Sequence, residues 1–160
     1  IIGIRWFYKN ILPKLNKNIR INIVGRGTEI LKEEFTDSRV RIYGGVDSLA
    51  PYYLGADIVI APLFDGGGMK TKTVEALSYG KCIVATDEGL EGFWQEMDRK
   101  IQNKVVFKSN STNKWIDILN DLSTDKPRKF NEEIFELFKK RFSYEATRKD
   151  LWDLLETENK

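Results

Sequence analysis

Residue types that can do chemistry gather in one stretch, Pro62-Leu63-Phe64-Asp65-Gly66-Gly67-Gly68-Met69-Lys70-Thr71-Lys72-Thr73-Val74-Glu75. It lies between an apolar run and an amphipathic one, a strand-to-helix corner of the kind where α/β folds place ligands. Three consecutive glycines let a backbone approach a ligand closely and adopt positive φ. The helix start behind them offers free N–H groups and the positive end of a dipole, a setting for an anion. Lys70 and Lys72 fall in the first helical turn, where a cation is misplaced by ~0.3–1 kcal/mol. A bound phosphate reverses that sign. The alternative is a flexible glycine turn followed by a solvated basic helix face. Glu75, one turn further on, has two readings as well. Spacing alone favours an i,i+3 ion pair with Lys72; the functional reading is a carboxylate accepting hydrogen bonds from sugar or ribose hydroxyls.

Two further corners share this character. Gly25-Arg26-Gly27 follows a β-branched run, and Arg26 either reaches a phosphate with its guanidinium fork or stands in solvent. The segment fits neither the P-loop nor the dinucleotide fingerprint. Gly44-Gly45-Val46 is either a plain tight turn or a place where main-chain groups meet a base. Trp6, Phe7, Tyr8, Trp94, Trp115 and Trp152 fall on helical patterns and are read as packing residues. Lys139-Lys140-Arg141 is read as a solvated helix face.

Composition removes several classes of chemistry. The 160 residues contain no histidine, which excludes His-based triads and His metal ligands; no metal site is expected. Cys82 is the only cysteine, so no internal disulfide forms, and its apolar neighbours make it a small buried hydrophobe. With 26 basic and 24 acidic residues the net charge is only +2, which gives no general attraction for nucleic acid or an anionic membrane. No run approaches the ~18 apolar residues of a membrane span, and no signal peptide opens the chain. A cytoplasmic setting is expected.

The elements that position these corners alternate between strand and helix, the pattern of βαβ units and a parallel sheet. Helical spacing runs through Ile4, Phe7, Ile11 and Leu15, with Pro13 disturbing its last turn. Strands are expected at 19–24, 40–43, 57–61, 81–85 and 105–107, the fourth and third as apolar runs buried on both faces. Helices are expected at 28–35, from Asp47 or Ser48 to about Leu54, at 70–79 with Gly80 as C-cap, and at 111–122. Two more helical patterns follow, through Ile134, Leu137 and Phe138 and through Leu151, Leu154 and Leu155. The expected architecture is a Rossmann-like doubly wound parallel domain over 1–125, with C-terminal helices over 126–160 packing on it after a break at Asp125-Lys126-Pro127. Ile1-Ile2-Gly3 runs straight into a helix with neither Met nor strand before it, so the chain reads as a piece of a longer protein.

In order along the chain, Val46-Asp47-Ser48-Leu49, Tyr52-Tyr53, Ala56-Asp57-Ile58-Val59-Ile60-Ala61-Pro62, Gly66-Gly67-Gly68-Met69-Lys70-Thr71-Lys72, Glu75-Ala76-Leu77-Ser78-Tyr79-Gly80, Lys81-Cys82-Ile83-Val84-Ala85-Thr86 and Glu91-Gly92 resemble the glycosyltransferase group 1 family, of the GT-B fold. Trp6-Phe7 to Leu12-Pro13 and Phe142-Ser143-Tyr144-Glu145 fit the same pattern. The resemblance covers the C-terminal, donor-binding half, with its first strand missing. It implies a retaining glycosyltransferase that takes sugar from a UDP-, GDP- or ADP-sugar and needs no metal or other cofactor. The partner it implies is an N-terminal acceptor domain of the same full-length chain, membrane-peripheral at most, acting on glycan or lipid-linked acceptors in surface polysaccharide assembly. By the same resemblance Glu75 matches the second glutamate of the family's pair and binds ribose. Gly68, Met69, Lys70 and Arg26 bind phosphate, Gly45 and Val46 contact the base, and Asp65, Gly66 and Gly67 lie at the sugar. The first glutamate of the pair falls at Gly67, which has no side chain; either Asp65 or the loop's backbone N–H groups make that contact. No catalytic acid or base is assigned. The other readings are a non-catalytic Rossmann-like scaffold or regulatory module and half of a sugar-nucleotide epimerase.

Overall fold

The computed structural model describes residues 1–124 and 130–149. Helix α1 (Ile2–Asn10) leads through a 3-10 turn holding Pro13 to β1 (Ile21–Val24). Strands β2 (Val40–Gly44), β3 (Ile58–Ala61), β4 (Cys82–Ala85) and β5 (Val106–Lys108) follow, with α2 (Ala50–Gly55), α3 (Thr71–Ser78) and α4 (Thr112–Leu122) between and after them. Helix α5 (Glu132–Arg141) follows, and residues 144–149 are helical again. All pairings are parallel. The expected strands are present: β1, β3 and β4 start one or two residues late, β2 runs one residue further, and β5 is shifted by one. The helix expected at 28–35 is a single 3-10 turn, Glu29–Leu31. Helix α2 starts at Ala50, not at Asp47 or Ser48; the Ser48 hydroxyl accepts from the Ala50 N–H at 3.3 Å.

The sheet is divided. β1 pairs with β2, and β3, β4 and β5 form a second ladder in that order. β1 and β3 therefore each carry one edge without a partner strand among the described residues. A single strand laid between them would give the strand order of a doubly wound domain. The division also corrects the expected burial of β3. Ile58, Val59 and Ile60 are only half-buried, whereas all four residues of β4 are buried.

β4 is the centre because helices cover both of its faces. Ile83 and Ala85 point into a cluster with Ala76 and Leu77 of α3, Phe93, and Ile134 of α5. Cys82 and Val84 point the other way, against Phe7 and Ile11 of α1 and Trp115 of α4. This is the two-residue alternation of a strand between two layers. Cys82 is buried as expected. Trp115 is fully buried, with its indole N–H donating to the Ser109 carbonyl at 2.7 Å and its ring edge-on to Trp6 at 5.5 Å. Helix α5 docks through Gly80, whose carbonyl accepts from the Asn131 N–H while Asn131 caps the helix by accepting from Ile134. The break at 125–127 and the pattern through Leu151, Leu154, Leu155 and Trp152 lie outside the described residues.

Arg39 fastens the turn after α1 to the start of β2. Its guanidinium donates to the carbonyls of Leu12 and Leu15 and to the Asp37 carboxylate, with 2.8 Å between Nη2 and Oδ2. That guanidinium, joined by the Arg39 backbone N–H, pulls the Asp37 carboxyl from its ordinary 3.8 down to about 2. A depressed carboxyl contributes stability that is fully present above its unfolded value and is lost as pH falls through its folded one. Urea denaturation of the wild type should therefore lose stability between pH of about 4 and about 2, and Asp37→Asn should flatten this limb of the profile.

Candidate functional site

The glycine loop leaves β3 at Ala61 and is bolted down from behind. The backbone of Gly89 lies so close to β3 that an added Cβ would stand 2.7 Å from the Ala61 carbonyl oxygen and 3.1 Å from the Ala85 Cβ. Thr73, buried in α3, donates its hydroxyl to the Gly89 carbonyl at 2.6 Å. Thr86, buried after β4, donates to the Leu63 carbonyl and accepts from the Gly89 N–H. These bonds join the end of β3, the start of α3 and the 86–92 segment into one support. The loop in front of it turns through Gly66 and Gly68, at φ 107° and 71°, conformations that side chains resist. Asp65, Gly66, Gly67, Gly68 and Met69 are all exposed.

Lys70 does not stand where the sequence suggests. It precedes the first turn of α3 as an extended N-cap residue, and its ammonium folds back over the loop. It donates to the carbonyls of Gly66 and Gly68 at 2.5 and 2.8 Å, and to Glu88 and Glu91 at 2.6 and 3.4 Å. Glu88, aided by Glu91, holds the ammonium pKa above its usual value. The argument that a misplaced lysine calls for a bound anion therefore fails for Lys70, because two protein carboxylates already supply the charge. Lys72 is exposed in the first turn.

Glu75 has a partner that spacing did not suggest. The Tyr53 hydroxyl of α2 donates to its Oε2 at 2.8 Å, and the expected ion pair with Lys72 does not form among the described residues. The Tyr53 ring stacks on Tyr79, one turn beyond Glu75, at 5.0 Å and 5°. Glu75 is half-buried.

A third cluster occupies the carboxyl ends of β1 and β2. Arg26 is exposed, and its Cγ lies 3.0 Å from where a Gly45 Cβ would stand. The Gly45 N–H donates to Glu29 Oε1 at 2.8 Å. Backbone N–H groups, first Glu29's own and then those of Gly45 and Gly27, keep the Glu29 carboxyl below its usual range. Val46 is half-buried beside them. Arg26 and Gly45 thus stand together, as do Gly66, Gly68 and Lys70, while Glu75 stands with Tyr53. Sequence reasoning missed Glu29, Tyr53, Thr73, Thr86, Glu88 and Glu91 as site residues. Thr73 stands in the glycine stretch and Tyr53, Thr86 and Glu91 in the family pattern, none of them with a role; Glu29 and Glu88 carry no signal of their own. Among the described residues, no group of three or more acidic or cysteine side chains is placed to hold a metal ion.

Residues 1–125 match the family model described as "Glycosyl transferases group 1". The chain belongs to this family. Its fold is shared with Anabaena HepE solved in complex with UDP (TM-score 0.70, 16% identity, 91% of this chain and 43% of that one) and with UDP-glucose (TM-score 0.65, 16% identity). TarM is a further neighbour, with TM-score 0.60 and 16% identity over 87% of this chain and 29% of its own. These neighbours are GT-B glycosyltransferases, and the present chain has the Rossmann-like α/β architecture of that fold. A curated relative from Klebsiella pneumoniae, an "Uncharacterized 44.6 kDa protein in cps region", is 28% identical over 103 residues, 56% of this chain and 26% of that one. The chain thus spans less than half the length of each of these proteins.

Gly89→Ala forces a methyl group against the Ala61 carbonyl, a backbone atom that cannot swing away. Overpacking of this kind costs about 1–3 kcal/mol. Urea denaturation should show a loss of that size, and amide exchange should quicken in the glycine loop before it does in β4.

Proposed function

We propose that this chain is the donor-binding half of a retaining glycosyltransferase, holding a nucleoside diphosphate sugar for transfer to a glycan or lipid-linked acceptor bound by another domain of the full-length protein. The observation that carries this reading is Glu75. It is a half-buried carboxylate with one oxygen fixed by Tyr53, on the helix directly behind an exposed glycine loop, in a chain of the glycosyltransferase family. Glu75 receives the ribose hydroxyls. The base meets the main chain at Gly45 and Val46, beside Arg26, which reaches the phosphates. Gly68, Met69 and Lys70 cradle the diphosphate, and Asp65, Gly66 and Gly67 border the sugar.

In this reading Lys70 exchanges Glu88 and Glu91 for the phosphate oxygens, and the ammonium and loop N–H groups stabilise charge as the diphosphate leaves. No side chain of this half attacks the sugar, and no metal is required. The setting is cytoplasmic, peripheral to the membrane in the full-length protein, in polysaccharide assembly. A neighbour bound to UDP and UDP-glucose and a relative in a cps region support that setting. No helix among the described residues is long and apolar enough to cross a membrane.

Titration of this chain with UDP, GDP and ADP, followed by amide NMR, tests the reading. One nucleotide should shift the amides of Gly45, Gly68 and Lys70. Glu75→Ala should weaken that nucleotide about ten- to hundredfold, the worth of about 1.5–3 kcal/mol for hydrogen bonds to a charged group. Absence of binding by all three at millimolar concentration would overturn it.

A further inference from the structure

We infer that Tyr53 is a positioning residue for the Glu75 carboxylate, setting it in the one orientation in which it can accept from two neighbouring hydroxyls of a ribose. The inference rests on the reading of Glu75 given above and adds to it a residue with no assigned role.

The argument begins with what a lone glutamate on a helix can do. Its side chain has three rotatable bonds, and immobilising such a chain on binding costs conformational entropy. Glu75 escapes much of that cost because the Tyr53 hydroxyl already donates to Oε2 at 2.8 Å. Tyr53 is itself fixed on two sides. Its ring lies flat on Tyr79 at 5.0 Å and 5°, and it packs against the core cluster that contains Leu77 and Ala76. The short helix that carries it is pinned at its far end, where the buried Lys81 ammonium donates to the carbonyls of Leu54 and Ala56 at 3.2 and 2.9 Å. The phenol is held protonated by burial and by the Glu75 carboxylate, so it is a permanent donor at neutral pH. With Oε2 so anchored, Oε1 keeps both of its lone pairs and Oε2 keeps one, enough for two vicinal hydroxyls. Tyr53 touches no ligand in this arrangement. It acts only through Glu75.

Three nucleotide pairs separate this role from a merely structural one: UDP, GDP and ADP, each beside its 2′,3′-dideoxy form, titrated into the wild type, Tyr53→Phe and Glu75→Ala. Tyr53→Phe keeps the ring on Tyr79 and removes only the donor. It should weaken the ribonucleotide about three- to tenfold, the effect of one lost hydrogen bond, and leave the dideoxy form unchanged. Without ligand, three-bond couplings of the Glu75 side chain should report one rotamer in the wild type and averaging in Tyr53→Phe. Equal weakening of both forms of the nucleotide, or an unchanged Glu75 rotamer in Tyr53→Phe, would overturn the positioning role while leaving the nucleotide site intact. An unchanged affinity in Glu75→Ala would instead remove the ribose role of Glu75, and the role of Tyr53 with it.

Discussion

The close approach of Gly89 to the end of β3 is the constraint on which the site depends. Only a residue without a Cβ leaves room for the Ala61 carbonyl 2.7 Å from where that atom would be. Because the two backbones touch, Thr73 can reach the Gly89 carbonyl and Thr86 can hold both Gly89 and Leu63. The start of α3, the glycine loop and the segment carrying Glu88 and Glu91 then move as one body. That union fixes where the glycine loop leaves β3 and where α3 begins.

The donors of the corner have acceptors within the fold. Glu29 takes the Gly45 N–H, and Glu88 and Glu91 take the Lys70 ammonium. Under the proposed reading, an anionic ligand exchanges one set of acceptors for another, and its net free energy is the difference between the two arrangements. The protein's own carboxylates thus give the Gly45 N–H and the Lys70 ammonium acceptors within the fold.

Much of this was legible in the sequence, and the reasons for the rest are specific. Alternation of β-branched runs with helical spacing disclosed the strands, because each strand must bury a face against the helices beside it. Cys82 was assigned to the core from its apolar neighbours and Trp115 to packing from its helical spacing, and both are buried. Two local readings failed, Lys70 in the first turn and Glu75 paired with Lys72. In both, the true partner comes from far along the chain, Glu88 and Glu91 in one case and Tyr53 in the other. Spacing rules describe neighbours on one helix and are blind to partners that the fold delivers. The division of the sheet escaped for a similar reason. Ile58, Val59 and Ile60 have the composition of a strand covered on both faces, and composition does not say which strand lies alongside.

That division has a consequence for how the isolated chain behaves in a tube. Among the described residues β1 and β3 each present a row of backbone donors and acceptors without a partner strand, and in β3 the row is flanked by half-buried isoleucine and valine. Natural edges are blunted by charge, proline or a bulge, and Ile58-Val59-Ile60 has none of these. Such an edge takes whatever extended segment is at hand, including one from another copy. Self-association on concentration is therefore expected to run through these short edges.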